Sequence, residues 1–131
     1  RGFVAMPEAR GEVEARITKA LVKFEREYRG RGPTEARTYL IDDLVLVRLQ
    51  GVITRAEQHL ATADTTGRGR DLVKQSRIEL LEKARPQLFE LISTITGVPV
   101  KSLHTDISVK TGERIILFTL DRVREFRAGS G

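Results

Sequence analysis

GRGPTEARTYLIDDLVLVRLQGVITRAEQHL, residues 30–60, ends one helix, forms a strand pair and starts a second helix within about thirty residues. Gly30 suits the position just past a helix, and Pro33 keeps that helix from resuming because proline lacks an amide hydrogen and fixes φ. Residues 37–41 and 44–49 are mostly β-branched, aliphatic or aromatic, with Asp42-Asp43 between them. The pattern predicts a hairpin turning at the aspartates, with one long strand bulged there as the alternative. Leu44, Val45, Leu46 and Val47 are apolar on both faces, which predicts a central strand covered on each side. Thr54-Arg55-Ala56-Glu57 has the form of a capping box: the threonine hydroxyl accepts from the third helical N–H and the glutamate reaches back. The short helix it starts is expected to end near residue 63.

Upstream, Val13, Ile17, Ala20, Leu21, Phe24 and Tyr28 recur at steps of three and four, predicting a helix from residue 7 or 8 to 29 with these side chains inward. Downstream, residues 63–70 (ADTTGRGR) read as a loop, and residues 71–96 as a long helix with Val73, Leu80, Ala84, Leu88, Leu91, Ile92 and Ile95 inward. Pro86 falls inside that helix and predicts a kink or a break near residues 83–85. Residues 100–109 and 113–120 pair as a second hairpin around Lys110-Thr111-Gly112. Leu103, Thr105, Ile107 and Val109 lie on one face of its first strand; Ser102, His104, Asp106 and Ser108 lie on the other, a wet face or an interface. The order helix–hairpin–short helix–long helix–hairpin gives an α+β domain, a four-stranded antiparallel sheet packed against helices. The domain should cover residues 11–121, between a flexible lead (1–10) and a basic, frayed tail (122–131).

The 131 residues suffice for one core, with 40% hydrophobic and 31% charged residues in a globular balance. The longest apolar runs, 44–47 and 115–118, have strand length, so no membrane span is expected. The first ten residues lack the apolar core of a signal peptide, and a cytoplasmic location is the default. With no cysteine the chain has neither disulfides nor thiolate chemistry.

A net charge of +5 invites a nucleic-acid or membrane reading. Acids interleave with the bases along both long helices, however, leaving only two basic concentrations. One is Arg68, Arg70, Lys74 and Arg77, where a glycine-rich loop leads into a helix start and could bind an anion. The other is the tail, with Arg122, Arg124 and Arg127. Aromatics are too few for a base-stacking platform and the element order is not that of an RNA-recognition motif, so nucleic acid is disfavoured. Asp42 and Asp43 read as a turn rather than paired catalytic carboxylates, since adjacent strand residues point to opposite faces. His59 and His104 lack metal-ligand spacing, and His104 with Asp106 reads as a solvated pair. No catalytic residue, metal or cofactor is assigned.

One resemblance spans residues 12–121. Gly30-Arg-Gly-Pro33, Ala36-Arg-Thr-Tyr39, Asp42-Asp43, residues 44–49, Gly51-Val-Ile-Thr54, Glu57 and Leu60 are similar to a bacterial family described as the C component of a sodium-translocating, membrane-potential-generating system. Leu72-Val73, Arg77, Arg85-Pro86, Ile95-Thr96-Gly97, Val100 and Phe118 also fit; Ile53 departs from the family's usual leucine. The resemblance implies a small cytoplasmic protein tied to a membrane cation or bicarbonate transport system whose membrane-spanning parts are separate chains. It implies no catalytic residues. It makes the polar motif positions Arg37, Asp42, Asp43, Arg48 and Glu57 candidates for an interface. The expected function is a non-enzymatic accessory or regulatory domain, a homodimer that also binds a partner protein. The alternatives are a sensor of phosphate, nucleotide or bicarbonate using Arg68, Arg70, Lys74 and Arg77, and a weak nucleic-acid binder.

Overall fold

The computed structural model describes residues 8–63 and 65–126. The expected helix start at Pro7, and Arg127 with the terminal Ala128-Gly-Ser-Gly, lie outside the described residues. The elements are α1 (Arg10–Arg29), β1 (Glu35–Ile41), β2 (Leu44–Gln50), α2 (Arg55–Thr62), α3 (Arg68–Thr96), β3 (Val100–Ser108) and β4 (Glu113–Leu120). The α+β order and the two hairpins are as the sequence predicts. All four strands form one antiparallel sheet in the order β1-β2-β4-β3, so the second strands of the hairpins meet in the middle. The first hairpin turns at Asp42-Asp43, with Asp42 in the left-handed region at φ 54°. At the second turn Gly112 takes φ 76°, a conformation that costs a glycine little.

Burial alternates strictly along β4, where Arg114, Ile116, Phe118 and Leu120 face the helices. They join Val45, Val47 and Leu49 of β2 and Leu103 and Ile107 of β3. Val13, Ile17, Leu21 and Phe24 of α1 pack on the same face with Leu81, Ala84, Leu88 and Ile92 of α3. α1 lies over β1, α3 over β3, and α2 rests on α3. Glu14 of α1 accepts the Leu40 N–H at 2.8 Å, occupying one outward donor of the β1 edge. Leaving such a donor open would invite strand addition.

Four expectations are corrected. Of the kink or break expected at Pro86, the break is absent: α3 is continuous through the proline. The proline is exposed, and Leu81, Ala84 and Leu88 hold both sides of it on the sheet. α3 also begins at Arg68, taking in part of the expected loop, because Gly69 is buried against α2. Leu80 and Tyr28 are exposed rather than inward; the apolar stripe of α3 runs one residue further on, through Leu81. Finally, β2 is central in the sheet but is covered on one face alone among the described residues: Val45, Val47 and Leu49 are buried while Leu44 and Leu46 are half-exposed.

Candidate functional site: a buried arginine cluster and an open sheet face

Two features stand apart from the hydrophobic core. The first is a charged cluster where the C-terminal end of α1, the start of α2, the middle of α3 and β4 converge. Arg77 and Arg114 side chains are 3% and 5% exposed, Arg29 is 7%, and Glu25 is 3%. Each occupies a position that local geometry turns inward. Arg77 continues the stripe of Val73 and Leu81, Arg114 heads the inward row of β4, and Glu25 follows Phe24 on the inner side of α1.

Hydrogen bonds join the cluster. Arg77 binds Glu57 through two, Nε to Oε2 at 2.9 Å and Nη2 to Oε1 at 2.8 Å, and Nη2 also donates to the Val52 carbonyl. The same carbonyl accepts from Arg29 Nη1 at 3.0 Å, and Arg29 Nε donates to Glu25 at 2.7 Å. The hydrogen bonds from Arg77 hold the Glu57 carboxyl down at about 2. Glu57 also closes the capping box of α2, accepting the Thr54 N–H at 3.0 Å while its own N–H donates to the Thr54 hydroxyl at 3.1 Å. One carboxylate thus ties a helix start to a buried guanidinium. Arg114 is the least compensated member. Its nearest carboxylate oxygen, on Glu25, is 4.0 Å away, and its hydrogen bond to the Arg77 carbonyl is long at 3.5 Å. Burial pushes the Arg114 guanidinium below its usual range, and the neighbouring Arg77 and Arg29 charges push the same way.

The second feature is the outer sheet face. Its middle is apolar, with Tyr39, Leu44, Leu46, Ile115 and Leu117 half-buried and Ile41 exposed. Among the described residues no helix packs on it. Cross-strand register aligns Arg37, Arg48, Ile115 and Asp106 in one row, and Tyr39, Leu46, Leu117 and His104 in the next. Arg48 pairs with Glu113 at 2.5 Å. Asp106 accepts from Lys74 at 3.2 Å, and the Ile107 N–H, with Lys74, keeps its carboxyl below the usual range.

The sequence-derived candidates separate accordingly. Arg37 and Arg48 share the outer face, while Asp42 and Asp43 form the hairpin turn at its end. Glu57 joins Arg77 inside. Arg68 and Arg70 stay exposed at the start of α3, and Arg70 contacts Asp71. Arg70 and Lys74 line an open groove with Lys110, Asp106 and Glu113, which mixes basic and acidic side chains. Arg77 is buried with Glu57 and is not among the residues lining that groove. His59 is exposed on α2, and His104 is exposed on the outer face. Glu25, Arg29 and Arg114 were missed by sequence reasoning. The available signal was a charged residue at an otherwise apolar inward position, as Arg114 is before Ile116 and Phe118.

The family described as "Na+-translocating membrane potential-generating system (MpsC)" matches residues 9–122. Among curated proteins, the chain is similar to "Uncharacterized protein YbcI" of Bacillus subtilis (strain 168), 37% identical over 115 residues covering 88% of this chain and 90% of that one. It is also similar to "Uncharacterized protein YrhF" of the same organism, 26% identical over 101 residues, covering 76% and 80% respectively. No solved structure matches the chain.

Proposed function

This chain belongs to the MpsC family, described as the Na+-translocating membrane potential-generating system, and from that premise we propose that it is a non-enzymatic accessory or regulatory protein. It acts by pairing with a second copy of itself and by docking on a partner of a Na+ membrane system. Among the described residues no helix is long and apolar enough to cross a membrane, and no group of three or more His, Asp or Glu could hold a metal ion. Ion passage through lipid needs spanning structure. The role assigned to this chain is therefore contact rather than conduction. Its place is the cytoplasmic side, where a chain without cysteine needs no oxidising compartment.

The observation that carries this reading is the outer face of the sheet, an apolar centre with charged flanks and no helix upon it. Two such faces stack about 10 Å apart with strands nearly aligned. A twofold axis running along the strands between β2 and β4 lays each cross-strand row over its own reverse. Arg37 then meets Asp106 of the second copy, and Leu46 meets Leu117. Arg37 has no ion pair among the described residues, so it is available for this contact. Self-complementarity of this kind is what an isologous dimer requires. Sedimentation at micromolar concentration tests the reading: a dimer is expected, and a monomer refutes it.

A further inference from the structure

We propose that the cavity between α1, α3 and β4 is a binding site for one small inorganic monoanion of about chloride's size, held by Arg29, Arg77 and Arg114. The three side chains line one cavity of about 20 Å3 together with Glu25, Phe24 and Leu81. Each of the three carries a buried nitrogen without a hydrogen-bond acceptor: Arg29 Nη2, Arg77 Nη1 and Arg114 Nε. Buried N–H groups are almost always satisfied, so three orphans on side chains that line one cavity mark a missing acceptor.

Charge points the same way. Three guanidinium groups face two carboxylates, Glu25 and Glu57, while Asp106, which also acts on Arg114, is paired with Lys74, so one positive charge is left in excess. Both carboxylates are already engaged, Glu25 by Arg29 and Glu57 by Arg77. An uncompensated charge this deep is strongly destabilising. Water would accept from two of the orphan donors but would leave the excess charge. A monoanion accepts from all three and brings the cluster to neutrality.

Size sets the class. A cavity of this volume holds about one water-sized particle, since roughly 10–15 Å3 suffices for a water. Phosphate and nucleotides are excluded, and a sodium ion is repelled by the arginines. The cavity lies near the surface, beside Tyr28 and Leu80, which are 41% and 43% exposed. An ion can therefore exchange without global unfolding. This inference is independent of self-association, and either can fail without the other.

The test is thermal melting of the full chain at fixed sodium and ionic strength, with chloride replaced stepwise by gluconate. The expected result is a saturable rise in the melting midpoint with chloride, about 4–6 °C at roughly ten times its Kd. Bromide should reproduce it, and phosphate should give only the gradual, non-saturating rise of an excluded salt. Arg114→Met should abolish the halide dependence and melt no lower than the native chain in gluconate, because it removes the excess charge. A direct measurement does not depend on the variant folding: crystals of the native chain grown in bromide should show an anomalous peak in the cavity. Equal melting in chloride and gluconate, or a cavity holding water and no bromide, overturns the proposal.

Discussion

Replacing Arg77 with methionine keeps most of the apolar stem and removes the guanidinium. Arg77 is 3% exposed and its partner Glu57 is 23% exposed. The Arg77 hydrogen bonds foremost, joined by the Thr54 N–H, lower the Glu57 carboxyl from an ordinary 4.5 to about 2. At about 1.36 kcal/mol per pKa unit this corresponds to about 3 kcal/mol. Glu57 is partly open to water, so screening reduces the figure to about 1–2 kcal/mol. The lost hydrogen bond to Val52 adds about 1 kcal/mol. The expected loss is therefore about 2–3 kcal/mol, or about 8–12 °C in melting midpoint for a chain of this size. Urea titrations at fixed chloride measure it, with an unchanged m-value showing that the folded and unfolded states keep their compactness. The sign of the pH dependence follows from the depressed pKa. The native chain keeps the Glu57 contribution above about pH 4.5 and loses it as pH falls towards 2, whereas the variant retains only the smaller part that Thr54 supplies. The two stability curves should converge across that window. A variant within about 0.5 kcal/mol of the native chain at pH 7, below the usual cost of any broken buried contact, refutes the reasoning. So does a gap that stays constant down to pH 2.

Three further outcomes follow from single contacts. Leu46→Asp places a charge at the centre of the outer face and should give a monomer at micromolar concentration by light scattering, with the protomer destabilised by about 1 kcal/mol because the site is half-buried on a central strand; a persisting dimer would move the interface elsewhere. Gly69→Ala should destabilise by about 2 kcal/mol in spite of alanine's better helix propensity, because the new Cβ would overlap the Leu60 carbonyl of α2; a neutral or stabilising result in denaturant titration contradicts the close packing of α2 on α3. Asp42→Gly should stabilise by about 0.5 kcal/mol, since Asp42 holds φ 54° at the hairpin turn; a loss measured by the same titration would show that the aspartate side chain does more than turn the chain.

Local chemistry by itself determined the order and type of the elements. The Thr54–Glu57 capping box, the Asp42-Asp43 turn and the alternation along β4 act over four residues or fewer, so each is legible from neighbours in the chain. The i, i+4 stripe of α1 is equally local. Pro86 misled as to a break because a proline's cost is local while the contacts that keep α3 continuous through it come from the sheet. What lies on the second face of β2 was equally hidden, because apolar residues on both faces are compatible with a covered strand and with one left open to a partner.

The strand order β1-β2-β4-β3 and the meeting of Glu25, Arg29, Arg77 and Arg114 were decided only by tertiary structure. These four residues come from three elements up to 89 positions apart, and Glu57 comes from a fourth. Nothing in the periodicity of one element states which charge on another it will face. Electrostatic pairing acts through space, and the chain must first close its sheet before those groups are neighbours.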